Sequence, residues 1–574
     1  MPVVGIPVDM LLSRIATSLD KDELVTLLQH LGCDVEGYTV VRRFRCLKCD
    51  NISEITETEN PPVICDRCGS DHREHSDSLV PLGQSDVIRM ELLAVRPDMF
   101  DPGGLARVLR HYLKEETLPS QYDLDLPQCS VRVDRQLAEN SCYRPNIACA
   151  IVRNLTLTEN RVKTIMKLQE NLHWALGRDR KHASVGVYDL DRLQSGVFAY
   201  RTVGPQELRF VPLGYDEKSP NGLLTPRQIL DEHPKGKAYA RLLEGFERYP
   251  LLCDAANKVL SMPPIINSEN TRVTLSTSNF FIDVTGTEER IVNKTLNILI
   301  TSLAELDPKA QIEQVRIVYP DREVTTPNLA PQHMALDTNQ PGRTIGVDLD
   351  RENIIGYLQQ MGHGIIQAES SQTLTVAIPA YRNDILHPID LIEDIAIAFG
   401  YHKIEPRLVP TMTVGEEQPK EKLAAICRNT LTGLGFSEVI TLILSSEQMQ
   451  FEAMGLPAIE NSVLIENPIS IEQTMIRTSL IPGLLDTFSV NTDHELPQRI
   501  FEVGNISLLA PQAETGSQEL LMVAGGIIGP KVDYAEIRST IESLLRELRC
   551  TIELKTMSNS LLYSRARGPN NCEA

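Results

Sequence analysis

The sequence contains no run of eighteen apolar residues, so nothing in it reads as a membrane-spanning helix. Its opening, MPVVGIPVDMLLSRIATSLD, lacks a basic leader and interrupts its apolar residues with Asp9 and Arg14, unlike a signal or transit peptide. A cytoplasmic location with no membrane partner is expected. Positive charge is also scarce: 56 Lys and Arg stand against 77 Asp and Glu, for a net charge of −21. That balance excludes a chain that coats nucleic acid or anionic membrane over its whole surface. Repeats and low-complexity tracts are absent. What remains is ordinary globular composition, 42% hydrophobic and 23% charged, with room for roughly four domains at about 150 residues each.

One basic stretch stands out. Arg161, Lys163, Lys167, Arg178, Arg180 and Lys181 overlap a helical apolar stripe of Ile165, Leu168, Leu172 and Leu176. By spacing it is either a solvated helix face or a local phosphate-contacting patch. Of twelve cysteines, eight share no spacing. The other four form CLKC and CDRC, with fifteen residues between the pairs, and Gly69 follows the second pair. Cys46, Cys49, Cys65 and Cys68 therefore suit four thiolates around a structural, tetrahedral Zn2+. His72 and His75 lie nearby in sequence, but four cysteines already close the shell, and neither is assigned. A closed shell leaves no open position for a substrate, which argues against a zinc-dependent nucleic-acid enzyme.

Along the chain, an opening helix ends near Leu31, a second is expected after the DPGG of Asp101 to Gly104, and the zinc module lies between them. The tract VYPDREVTTPNLAPQHM reads as a linker. Beyond it, DLDRENIIGYLQQMG places Ile354, Ile355, Leu358 and Met361 on one helical side and stops at Gly362. A further helix is expected from Glu421 to Leu434. In YRNDILHPIDLIEDIAIAFGYHKIEP, Pro388 suits a helix first turn, and Leu391, Ile392, Ile395 and Phe399 form its apolar stripe. Asp390, Glu393 and Asp394 fall at i, i+3 and i+4 on the other side, preceded by Asp384. Spacing alone allows an acidic helix start or a Mg2+ site.

The segment YRNDILHPIDLIEDIAIAFGY closely resembles a signature of the phenylalanyl-tRNA synthetase beta subunits of archaeal and eukaryotic type. MELLAVRPDMFDPGGLARVLRHYL, HWALGRDRKHASVGVYDLDRL, VLSMPPIINSENTRVT with FIDVTGT, and NPISIEQTMIRTSLIPGLL with RIFEVGNI follow in that family's order. The resemblance spans nearly everything outside the zinc insert. It implies a multidomain α+β chain. The expected parts are an N-terminal α+β domain over 1–120 with a zinc ribbon inserted at 41–79, an editing domain over 121–330, a winged-helix-like domain over 340–410, and a catalytic-like class II synthetase module over 415–574. The family usually continues past a segment like LLYSRAR, so that last module is expected to be shortened.

The resemblance also implies an alpha2-beta2 tetramer in which the alpha subunit uses ATP to charge tRNA(Phe). The beta chain would supply editing, tRNA contact and a Mg2+ shared with alpha through Asp384, Asp390, Glu393 and Asp394. The C-terminal block agrees: it has Arg477 and Arg499, but its glycine cluster AGGIIGP is followed by no arginine suited to gripping ATP. A pocket shaped for phenylalanine discriminates only about a hundredfold against an added hydroxyl, so tyrosine calls for a second sieve. Ser261, Asn267, Glu269, Asp283 and Thr285 are the matching editing residues, with Asp283 and Thr285 expected to recognise tyrosine or place water. The rival reading is a non-catalytic RNA-binding or assembly factor of the same architecture.

Overall fold

The protein is described here from a computed structural model covering residues 3–48, 52–65, 70–73, 78–92, 94–194, 196–217, 222–366, 372–409 and 411–552. It forms two compact units, Met1–Arg407 and Leu408–Ala574. The residues expected to form the first three domains fall in the first unit, save 408–410. Among the described residues no helix is long and apolar enough to cross a membrane.

The first unit opens with a four-stranded antiparallel sheet of β1 (Val3–Pro7), β2 (Asp34–Cys46), β3 (Ile52–Thr56) and β4 (Leu79–Glu91), in the order β1-β4-β2-β3. Its helix Lys21–His30 starts where Asp20 accepts from Asp22 and Glu23 N–H while Glu23 reaches back, a reciprocal cap, and Leu24 and Leu28 bury one face. The helix expected after DPGG starts earlier, at Pro102, with Asp101 as its cap. Asp101 accepts from Gly103 N–H at 2.8 Å and Gly104 N–H at 3.2 Å, and Ser302 Oγ donates to it at 2.7 Å. Gly104 is required by close approach, since a Cβ there would lie 2.0 Å from the Asp98 carbonyl oxygen.

The centre of this unit is a ten-stranded sheet. In chain order its strands are β5 (Leu124–Val133), β6 (Asn146–Arg153), β7 (Ala183–Asp189), β8 (Val197–Val203), β9 (Tyr249–Cys253), β10 (Val259–Met262), β11 (Ile266–Asn267), β12 (Phe280–Gly286), β13 (Gln311–Val318) and β14 (Glu323–Thr326). Their spatial order is β11-β10-β9-β8-β5-β13-β6-β12-β7, with β14 on β13. Parallel pairing is confined to β13 with β5 and β5 with β8. The helices Glu159–Trp174 and Glu289–Leu306 bury Leu168, Leu172, Leu296 and Leu299 in one core with Phe280, Ile282 and Val284 of β12. Because side chains alternate along a strand, Phe281 and its alternates Asp283 and Thr285 face the other way; Phe281 joins a second core with Cys149, Tyr188 and Phe198.

Residues expected to act as a linker instead fold back on this sheet: Val324, Thr325 and Thr326 pair with Ile317, Arg316 and Val315. Next, β15 (Gln332–Asp337), β16 (Gly364–Ile366) and β17 (Thr373–Ile378) form a small antiparallel sheet with β17 in the middle. The helices Arg351–Gln360 and Pro388–Phe399 pack Ile354, Leu358, Leu391, Ile392 and Ile395 against Leu374 and Val376. Pro388 begins its helix and Gly362, at φ +82°, ends the preceding one, as expected.

In the second unit β18 (Ser437–Glu438) pairs parallel to β21 (Gln498–Leu509), which pairs antiparallel to β22 (Ser517–Ile528); β19 (Leu444–Ser445) and β20 (Met475–Ile476) form a short ladder between them in sequence. The helix expected from Glu421 spans Pro419–Gly433 and buries Ala424, Cys427 and Leu431 against Phe501 and Leu544.

Replacing Asp101 with alanine removes the cap and strands the buried Ser302 hydroxyl. The expected loss is about 2–3 kcal/mol in unfolding free energy, measured by amide hydrogen exchange over residues 102–112; unchanged protection there contradicts the assignment.

Candidate functional site

The middle of β12 brings an acid into the sheet that has no ion-pair partner among the described residues. Asp283 lies opposite Cys149 of β6 on one side and Gly186 of β7 on the other, and is 1% exposed. Its Oδ1 lies 2.5 Å from the hydroxyl of Tyr188, which is itself 2.7 Å from Ser261 Oγ on β10. Burial pushes the Asp283 carboxyl up to about 7, although the Tyr188 hydrogen bond and the Arg144 charge both pull it down. A phenol has one hydrogen. When Asp283 is ionised, Tyr188 donates to it; when Asp283 is protonated, it can donate to Tyr188, which then donates to Ser261. Gly186 makes room for this chain, since a Cβ there would stand 2.0 Å from the Tyr188 hydroxyl and 2.3 Å from Asp283 Oδ1.

Two residues on, Thr285 is fully buried opposite Ser184. Its Oγ1 accepts from Arg144 Nε at 3.1 Å and lies 3.1 Å from Ser184 Oγ; Arg144 Nη2 donates to the Thr285 carbonyl at 2.7 Å and to Ser184 Oγ at 2.8 Å. Arg144 is thus a buried cation held by hydroxyls and carbonyls, and its burial lowers its pKa. Of the residues expected from sequence, Ser261 and Asp283 meet at Tyr188, and Thr285 lies beside them on the same strand. Asn267 pairs with Ser261 across β10 and β11 and donates to the Val187 carbonyl at 3.4 Å. Glu269 faces elsewhere: it accepts from Gly214 N–H at 2.8 Å and from Arg272 at 3.1 Å, bracing a loop. Sequence reasoning missed Arg144, Ser184, Gly186 and Tyr188. The last three alternate in ASVGVYD, a strand signal that would have placed them on one face.

The four acids expected to hold Mg2+ are not gathered. Arg382, fully buried, donates from Nε to Asp384 Oδ1 at 2.9 Å and from Nη2 to Asp384 Oδ2 at 2.6 Å and Asp394 Oδ2 at 2.8 Å. Asp394 also lies 2.6 Å from His363 Nε2. Burial raises the pKa of Asp394, yet Arg382 and His363 outweigh it and hold the group below the ordinary carboxylate range; Asp384 is likewise held down by Arg382 and Arg96. Asp390 accepts from Leu386 and His387 N–H, both at 2.7 Å, closing the helix start, and Glu393 is exposed. Among the described residues no three carboxylates lie close enough to share an ion. The arrangement in this chain does not fit a Mg2+ held by all four, because a buried arginine already serves as counter-ion for two of them.

Four of the six residues of the basic stretch are similarly engaged within the chain, while Arg178 and Lys181 are exposed. Arg161 pairs with Asp307 at 2.6 Å, Lys163 donates to the Ile52 carbonyl at 2.8 Å, Lys167 pairs with Glu54, and Arg180 pairs with Glu170 at 3.1 Å. In the second unit Arg477 is buried against Glu502 at 2.6 Å and Thr441 Oγ1 at 2.9 Å, while Arg499 pairs with Glu536 at 2.6 Å. Both arginines noted in the C-terminal block are thus committed to the fold.

Two family profiles match: "tRNA synthetase B5 domain" over residues 334–401 and "Phenylalanyl tRNA synthetase beta chain CLM domain" over residues 404–565. The phenylalanine–tRNA ligase beta subunit of Methanosarcina barkeri is 37% identical over 512 residues, covering 89% of this chain and 89% of its own. The chain belongs to the phenylalanine–tRNA ligase beta-subunit family. The beta subunit of Methanosphaera stadtmanae is 32% identical over 561 residues, 98% of this chain and 90% of its own. A solved N-terminal fragment of the phenylalanyl-tRNA synthetase beta subunit from Pyrococcus horikoshii is similar at TM-score 0.58 and 30% identity, covering 69% of this chain and 99% of the fragment. The resemblance read from the motifs and the mixed α+β architecture therefore hold, and the chain is a ligase subunit.

In this beta subunit, Arg382→Met leaves the buried Asp394 and His363 without their cation and Asp384 with Arg96 alone. The expected cost is about 3–5 kcal/mol, read as loss of hydrogen-exchange protection over 373–399. Protection like that of the parent chain would show that the acids have another counter-ion.

Proposed function

We propose that this chain works with an alpha subunit in an alpha2-beta2 ligase that charges tRNA(Phe), and that the buried polar cluster around Asp283 serves the hydrolysis of Tyr-tRNA(Phe). The observation that carries this reading is a buried carboxyl already satisfied by a phenolic hydroxyl, that of Tyr188. A tyrosyl ester that displaces the Tyr188 hydroxyl can present the same group to Asp283 and Ser261. A phenylalanyl ester making the same displacement would leave both buried and unpaired, the circumstance in which discrimination reaches about 10⁴–10⁵.

Chemistry then needs a placed water and little else. Water attacks the ester carbonyl, the bond to the terminal ribose oxygen breaks, that oxygen takes a proton, and tyrosine and free tRNA leave. No covalent intermediate is required. Thr285 and Ser184, with the Arg144 cation behind them, provide a polar wall for orienting the ester or the water. ATP-dependent charging belongs to alpha in this reading, supported by the engagement of Arg477 and Arg499. No step is assigned to magnesium.

The complex with alpha is expected to release tyrosine from Tyr-tRNA(Phe) while leaving Phe-tRNA(Phe) intact. Asp283→Ala should slow that release by about 10–100-fold, the loss of one strong hydrogen bond, with phenylalanine charging unchanged. Absence of release above background from the parent complex would favour a non-catalytic RNA-binding or assembly role.

A further inference from the structure

Away from the Asp283 cluster, the insert between β2 and β4 brings together side chains that the ligase reading leaves unused. Cys46 ends β2. Cys65 N–H donates to the Ser70 carbonyl at 2.9 Å and His72 N–H to the Val63 carbonyl at 2.8 Å, with an antiparallel bridge between Ile64 and Asp71, so this segment is a tight hairpin. It sets the Cys46 and Cys65 sulfurs and a ring nitrogen of His72 within 4.8 Å of one another, all three residues buried. Zinc bonds of about 2.3 Å to sulfur and 2.0 Å to nitrogen, in a tetrahedron, place neighbouring donors roughly 3.5–4 Å apart, so the cluster is of the right size for one ion.

His72 supplies the second, independent sign. It is 8% exposed; its Nδ1 lies 2.8 Å from Ser78 Oγ, while its Nε2 is buried with no hydrogen-bond partner among the described residues. A buried imidazole nitrogen left unpaired is costly. One ring nitrogen held by an oxygen while the other keeps its lone pair is the arrangement of a metal-ligating histidine.

We propose that the insert holds a structural zinc ion with Cys46, Cys65 and His72 among its ligands, His72 taking a place that cysteine spacing alone gives to a fourth thiolate. Cys49 and Cys68, also expected as ligands, lie outside the described residues. Binding releases the thiol protons, so affinity falls as pH is lowered. The ion fixes the end of a hairpin that grips the helix Glu159–Trp174: Arg45 pairs with Glu159 at 2.6 Å, Arg43 donates to Asn160 and to Glu54 at 3.0 Å, and Glu54 pairs with Lys167. That helix backs the sheet that carries Asp283, so the metal stiffens the support of the Asp283 cluster without touching it.

The test uses the full chain with zinc alone, and Co2+ as a spectroscopic substitute. The parent should carry one zinc per chain. His72→Ala should lower zinc affinity by more than the roughly 10–100-fold that losing an outer partner costs, and should change the Co2+ absorption bands. Ser78→Ala should fall inside that range with the bands intact. His72→Gln repeats the reading should the alanine variant not fold. A parent chain that binds no zinc, or a His72 variant with an unaltered cobalt spectrum, overturns the proposal.

Discussion

A carboxyl group placed in the interior of a large sheet, with no cation bonded to it among the described residues, constrains everything around it. Asp283 is held by one phenol and sits near Arg144, whose own hydrogen bonds go to Thr285, Ser184 and backbone carbonyls. Water is excluded, so the neutral form gains on the charged one and the group rests near neutrality. Its neighbours follow from that. Gly186 must be glycine for the phenol to pass, Tyr188 must stand two residues further along the same strand face, and Ser261 must reach the phenol from β10. Strand alternation keeps these groups away from the helix-packed face, which stays apolar.

The same unit buries carboxylates in a second way. Asp384 and Asp394 are taken out of water in direct contact with Arg382, and the pairing holds them ionised. Such a network fixes a joint between Arg382 and the helix Pro388–Phe399, and leaves little capacity to respond to a ligand. Asp283 differs because its partner is a single neutral hydroxyl, which another hydroxyl can replace. Interiors can hold acids for architecture or for recognition, and the partner's charge separates the two.

Where the signal was local, the sequence was legible. Pro388 at a helix start and the stripe of Ile354 and Leu358 were readable from capping and period, although the helix expected after DPGG starts inside that motif, at Pro102. Non-local pairing was not. Arg382 stands two residues before Asp384 in the same stretch, yet nothing in the spacing says that it turns inward to meet Asp394, or that His363 arrives from an earlier loop. The tract around Glu323–Thr326 has linker composition, and becomes a strand because β13 offers it an edge. His72 was set aside by counting thiols; its place depends on a hairpin closing over Cys65. Tyr188 was hidden inside a recognised motif, since its role arises only when β7 lies against β12.

The most direct check of this account is the titration of Asp283 itself, followed by carboxyl-carbon NMR of aspartate-labelled chain and assigned by difference with Asp283→Asn. A resonance that titrates near 7 is what a dry carboxyl facing a phenol requires. Titration near 4, the ordinary aspartate range of about 3.9, would mean that water or a cation reaches Asp283, and would contradict it.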